Sequence, residues 1–197
     1  MGLFKINEMT NFKKLHLGCG NIRLDGFVNI DIKESSAVDR QLDIRKLDYP
    51  DNSIEIIYCC HVLEHFTSPE VKKVLAEWHR VLAPGGNLAI VVPNLNRWIL
   101  RYLLNPLYSL KNKLFFRKDR KNEIEIEEML IADLFAGEPD YSFNSYHKTG
   151  FNPRIIKKIA RGIGFKKIEK ISLKSSKFPT KQVKRVHWSS MVFLLSK

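Results

Sequence analysis

Two glycines flanking a cysteine, followed by a lone aspartate, are the first residues whose types and spacing suggest chemistry. Gly18-Cys19-Gly20 follows a short apolar alternation, Lys14-Leu15-His16-Leu17, and Asp31 ends a second one, Phe27-Val28-Asn29-Ile30-Asp31. A glycine turn after the first strand of an α/β sheet puts backbone at the sheet's carboxyl edge, where such folds bind ligands. A carboxylate at the tip of the next strand can accept from both hydroxyls of a ribose. As a dinucleotide fingerprint the pattern fails. Arg23 stands where the third glycine belongs, and Asp31 follows Gly20 by only eleven residues, where about 20 are usual. So short a connection leaves room for a cramped loop or one helical turn, not for a full crossover helix.

The elements that must position these residues are legible in outline. Gln41–Ile44 reads as a short third strand, and Ile54–Cys60 as a buried one entered through the turn residues Asp51-Asn52-Ser53. Val71, Val74, Leu75, Trp78 and Leu82 recur at helical spacing, so a helix is expected over 68–82, with Ser68 as its cap and Pro69 in its first turn. Ala83-Pro84-Gly85-Gly86 ends it, and Asn87–Val92 is the next buried strand. Helices are further expected over 98–104, 123–135 and 153–163, and strands over 165–173 and 188–195. The last two strands are joined by a basic loop with Pro179 in place of a helix, so they run antiparallel. The expected architecture is α/β: a Rossmann-like, mainly parallel seven-stranded sheet with an antiparallel edge strand, helices on both faces, and a helical insert over 94–149.

Composition bounds the rest. The chain has 197 residues, 44% of them hydrophobic and 27% charged, the size and balance of one globular domain. The three cysteines, Cys19, Cys59 and Cys60, form no CxxC pair and suggest no structural zinc, and no metal is expected. No apolar run reaches the roughly 18 residues of a membrane span, and no signal-peptide core follows the N-terminus, so a cytoplasmic protein is expected. The net charge of +12 is concentrated in two blocks, residues 97–121 and 148–187, separated by an acidic stretch. Such blocks attract RNA, an anionic surface or an anionic substrate. A lysine-rich solvated surface accounts for them equally well.

Read in order, Leu17-Gly18-Cys19-Gly20, Asn29-Ile30-Asp31, Leu42-Asp43-Ile44, Tyr49 to Tyr58, His61-Val62-Leu63-Glu64-His65 and Trp78 to Leu88 form a far more specific arrangement. It resembles the class I S-adenosylmethionine (SAM)-dependent methyltransferases, and most of all the small members of the type-11 group. The resemblance covers residues 14–95, and more loosely Tyr146-His147-Lys148 and Gly164 to Ile168. It implies that SAM is the cofactor. Gly18, Cys19 and Gly20 then lie against its methionine part, and Asp31 binds the ribose. Asp43 and Ile44 flank the adenine, and Cys60 and His61 lie beside the methionine tail and methyl group.

Methyl transfer from a sulfonium is an in-line displacement in which alignment can supply roughly 7–11 kcal/mol. A hydroxyl acceptor must also lose its proton, for which histidine is best tuned near neutral pH. Of the candidates, His79 reads as surface or packing, whereas His65 and His147 are the expected catalytic residues, each with a loop-fixing hydrogen bond as the alternative. If 61–65 begins a helix, His61 and His65 share a face. Glu64 reads as structural. The Asn/Asp-Pro-Pro-aromatic turn of amino-group methyltransferases is absent, since Cys59-Cys60-His61-Val62 stands in its place. Cys59 and Cys60 also lack the proline of RNA cytosine-C5 enzymes and read as core residues. The expected reaction is O-methylation of a glycan or another small anionic acceptor. An RNA methyltransferase, a basic nucleic-acid-binding module without activity and a nicotinamide oxidoreductase are the alternatives.

Overall fold

A computed structural model describes residues 14–101, 103–104, 146–172 and 189–197. The seven strands are β1 (Lys14–Leu17), β2 (Val28–Asp31), β3 (Arg40–Gln41), β4 (Ile54–Cys60), β5 (Leu82–Pro93), β6 (Lys167–Ile171) and β7 (Ser190–Ser196). They make one sheet in the order β3-β2-β1-β4-β5-β7-β6. β1 to β5 are parallel, while β7 runs against both β5 and β6. The reversed strand therefore lies at one end of the sheet, between β5 and the outermost β6.

Strand alternation divides the interior into two faces. Leu15, Leu17, Ile57, Cys59, Leu88, Ile90 and Phe193 point to one side, where α1 (Ser68–Val81) and α2 (Pro153–Ile163) cover them. α1 presents Val71, Val74, Leu75, Trp78 and Val81, and α2 presents Ile156 and Ala160. The cap of α1 is Thr67 and not Ser68: Thr67 and Glu70 form a reciprocal capping box, with Pro69 in the first turn. Asn152 caps α2, accepting from the amides of Arg154 and Ile155, and Gly164 closes it in the left-handed conformation.

On the opposite face lie His16, Asn29, Tyr58, Ala89, Val91 and Val192. Helices were expected on both faces; α1 and α2 lie on the same one. The loop 21–27 takes the place of a crossover helix, burying Leu24 against Tyr58. It can do so because Asn29 fastens it. The Asn29 amide donates to the carbonyls of Leu24 and Phe27 and to Asp39, and its oxygen accepts from the Leu24 amide and from His16 Nδ1. A buried amide with every valence used substitutes locally for a helix's own hydrogen bonds.

The boundaries shift in places. β3 is two residues at 40–41, earlier than the expected 41–44, and β5 runs without a break from the end of α1. Ala83–Gly86 is an outward bulge in β5, since Ile54 pairs with Leu82 and Ile56 with Asn87. A helix begins at residue 95, three positions before the expected start. The expected helix 123–135 and most of the two basic blocks lie outside the described residues, as does most of the insert. Both ends of that insert return to the same edge: the Asn94 amide donates to Ser189, and the Lys148 and Thr149 amides donate to the carbonyl of Glu64.

Candidate cofactor and acceptor site at the carboxyl edge

Because β1 to β5 are parallel, everything that follows them gathers at one edge. Gly18 and Gly20 both have positive φ, 68° and 55°, which turns the chain sharply off β1. The Gly18 and Cys19 amides donate to the Ile30 carbonyl at 2.9 and 3.1 Å, and the Gly20 amide donates to Asp31 Oδ2 at 2.7 Å. Asp31 Oδ1 accepts from the Lys33 amide at 2.9 Å, and the Gly20 carbonyl accepts from the Ser35 hydroxyl. All three amides of the turn are thus spent within the protein. Such a turn is a shaped floor and not an N–H cradle for a pyrophosphate, which argues against the nicotinamide alternative. Each Asp31 oxygen keeps a second lone pair, as binding a ribose diol requires. Above Gly20 there is open space, with nothing near the position a Cβ would take.

The Cys19 thiol is buried, and burial together with the nearby Asp31 pushes its pKa up to about 11, so it is an inert packing group. Cys59 faces the main core, where burial raises its pKa, and Cys60 belongs to the smaller core. Asp43 stands after β3 as expected, but its carboxylate is engaged by Arg45 through side-chain contacts of 2.7–3.0 Å and the Arg45 amide at 2.9 Å. The Arg45 guanidinium holds the Asp43 carboxyl below its ordinary pKa. An adenine amine at Asp43 has to share that carboxylate with Arg45. Ile44 lies in the main core, and its carbonyl accepts from the Trp78 indole at 2.9 Å.

The stretch 61–65 is not one helix. His61 has φ 55°, and a single 3-10 turn follows at Leu63–His65, so His61 and His65 point to different partners. His61 is bracketed by the protein: Nδ1 lies 2.8 Å from Glu64 Oε1 and Nε2 lies 3.0 Å from the Ser190 hydroxyl. It ties the end of β4 to the start of β7. His65 turns toward the returning end of the insert, where its Nδ1 donates to the Tyr146 carbonyl at 3.3 Å. Its ring stands edge-on to that of His147, with centroids 5.3 Å apart. The structure therefore brings His65 and His147 together at this edge. His79 lies away from it, its ring edge-on to Phe165 beside Gly164.

Two contributors escaped the sequence reading, Ser35 and Ser190, for which sequence carries no signal, while Glu64, read as structural, is a hub. Glu64 is 1% exposed, takes His61 on its side chain and receives two amides of the insert on its carbonyl. A glutamate between two histidines was a visible hint of this.

Comparison with known proteins places this geometry. Residues 21–90 match the model of a methyltransferase domain family, a stretch holding Asp31, Asp43, Ile44, Cys60, His61 and His65. A probable methyltransferase of Aspergillus luteorubrus is 48% identical over 44 residues, covering 22% of this chain and 15% of its own length. A SAM-dependent methyltransferase from Archaeoglobus fulgidus has a similar structure, with a TM-score of 0.55 at 12% identity over 98% of this chain and 89% of that one. The 1,6-didemethyltoxoflavin-N1-methyltransferase of Burkholderia thailandensis, with its substrate and S-adenosylhomocysteine bound, gives 0.54 at 13% identity over 93% and 70%. In its sheet order, its glycine turn followed by Asp31 and its match over 21–90, the chain is similar to methyltransferase domains and shares the fold of the SAM-dependent methyltransferases.

Proposed function

We propose that the protein transfers the methyl group of SAM to a hydroxyl of a small acceptor, a glycan or another anionic molecule. The observation that carries this reading is the imidazole pair His65–His147 at the same sheet edge as Gly18, Gly20 and Asp31. The small molecule bound to the Burkholderia neighbour, an N1-methyltransferase, supports a small acceptor and carries nothing about its hydroxyl or its charge. No helix among the described residues is long and apolar enough to cross a membrane. In the reaction an acceptor oxygen attacks the methyl carbon, the carbon–sulfur bond breaks, and its electron pair stays on sulfur in the departing S-adenosylhomocysteine. The acceptor's proton goes to the imidazole pair.

Asp31 binds the ribose, Asp43 and Ile44 lie along the adenine, and the Gly18–Gly20 turn and the Cys60-His61 backbone lie along the methionine tail. Calorimetric titration with S-adenosylhomocysteine tests this, with Asp31→Ala alongside. Micromolar binding, weakened in the variant by about 1–3 kcal/mol as for a lost charged hydrogen bond, is expected. Absence of heat at millimolar ligand overturns the reading. Acceptor screening then separates hydroxyl-bearing glycans from RNA.

A further inference from the structure

We propose that Glu64, His65 and His147 hold a divalent first-row transition-metal ion at the acceptor end of this site. The inference rests on the methyl-transfer reading for its catalytic purpose, although the site itself is argued from geometry alone. One carboxylate oxygen of Glu64 and one ring nitrogen each of His65 and His147 lie within 4.8 Å of one another. Two imidazoles and one carboxylate are the donor set of many zinc and non-haem iron sites that keep open positions for a substrate oxygen.

Two further observations point to a cation. Glu64 is 1% exposed, and its Oε2 has no hydrogen-bond partner although it is fully buried. A buried carboxylate oxygen left bare is costly, and a metal ion satisfies it where the surrounding side chains do not. The second observation is the tautomer of His65. A carbonyl can only accept, so in the bond to Tyr146 it is Nδ1 that carries the proton. That leaves the lone pair on Nε2, the arrangement found in metal-bound histidines whose other nitrogen donates to a backbone carbonyl. On the other side, His61 Nδ1 donates to Glu64 Oε1 and fixes the carboxylate's orientation.

The cluster is assembled by the fold. Glu64 and His65 lie on the 3-10 turn after β4, and His147 arrives from 82 residues along the chain. It is delivered by the Lys148 and Thr149 amides, which donate to the Glu64 carbonyl at 2.7 and 3.2 Å, and by the Thr149 hydroxyl, which donates to Phe66. Bonds of roughly 2.0–2.2 Å to such an ion draw the three ligands closer than they stand without it. An acceptor hydroxyl completing the coordination becomes more acidic, as metal-bound water does. Once the ion is bound, that proton goes to solvent and no longer to the imidazoles, and the resulting alkoxide attacks the methyl carbon. His65 and His147 thereby activate the hydroxyl as ligands of the ion.

The test uses full-length, tag-free protein stripped with a chelator. Cobalt(II) is titrated in while visible absorption is recorded, and zinc(II) is then added in competition. Wild type, Glu64→Gln and His147→Ala are compared, with far-ultraviolet circular dichroism confirming the fold. Expected are a saturable one-to-one spectrum displaced by zinc, and at least a tenfold loss of affinity in both variants. His147 is only half-buried, unlike Glu64, so its variant remains informative if Glu64→Gln fails to fold. Lack of a saturable spectrum at millimolar cobalt, or equal binding by wild type and His147→Ala, overturns the proposal. Titration of the same samples with S-adenosylhomocysteine keeps the two readings apart. Cofactor binding without metal binding removes the metal site alone, and metal binding without cofactor binding removes the methyl-transfer role alone.

Discussion

Gly18 and Gly20 share a left-handed backbone but differ in what surrounds them, and the difference separates stability from binding. A methyl group on Gly18 runs into the side chain of Val62, while one on Gly20 projects into open space. Gly18→Ala therefore combines backbone strain of roughly 1–3 kcal/mol with a steric clash, and its melting temperature should fall further than that of Gly20→Ala. Gly20→Ala bears the strain alone, but places its methyl in the open space proposed for the cofactor, so it should lose S-adenosylhomocysteine affinity more than tenfold. Thermal melts and calorimetry on the pair check both halves. Equal melting temperatures would contradict the Val62 contact. The turn, Asp31 and the two histidines were visible as residues. That His61 is a bracket and Asp43 a partner of Arg45 depended on neighbours that spacing does not specify.

The long-range ties between elements give α1 its role. Trp78 belongs to the apolar stripe of this helix, yet its indole nitrogen also donates to the Ile44 carbonyl and holds the segment after β3 against the helix. Arg80, the penultimate residue of the helix, reaches Glu77, Asp51 and the carbonyls of Leu47 and Tyr49. Together they fix the loop 42–51, which follows β3 at the sheet's carboxyl edge. Trp78→Phe keeps most of the apolar contact but leaves a buried carbonyl without its donor. A loss of about 1–3 kcal/mol follows, to be read as a shift in the denaturant midpoint at unchanged slope. A midpoint within error of wild type would show that the bond contributes nothing net. The helix itself was legible from its period. Its cap at Thr67 was displaced by one residue because Ser68 and Thr67 are equally good caps by type, and only the Glu70 carboxylate's reach decides between them.

Across the molecule, the buried His16, the half-buried His79 and the hydrogen-bonded Asp39 make stability depend on pH in two windows. Burial holds His16 below its ordinary pKa, outweighing the Asn29 bond and the nearby Asp31, and burial likewise lowers His79. An unfolded histidine titrates near about 6.5. Below that pH the unfolded chain takes up protons that the native protein declines, so stability falls as pH drops from neutral. Asp39 acts lower down. Burial alone would raise it, but the Asn29 amides and Arg23 together bring it below the ordinary carboxyl value. Its contribution is complete above the unfolded value of about 3.9 and is lost as pH falls toward the folded one. Melting curves should show a first decline below about pH 6.5, shallower in His16→Gln, and a second below about pH 4, shallower in Asp39→Asn. A variant whose slope matches wild type in its own window would remove that residue from the account.

By itself the sequence determined the periods of strand and helix, the short connection between Gly20 and Asp31, and with them the sheet's parallel half and its ligand-binding edge. These are local properties: apolar spacing, turn chemistry and chain length act on neighbouring residues, so they can be read without knowing what lies across the fold. Only the tertiary structure decided that Asn29 replaces a crossover helix, that His61 spans to Ser190, and that His147 meets Glu64 and His65. The last two are contacts between residues far apart in the chain, set by which strand ends lie together, and the first follows from the hydrogen bonds that a buried polar group must find.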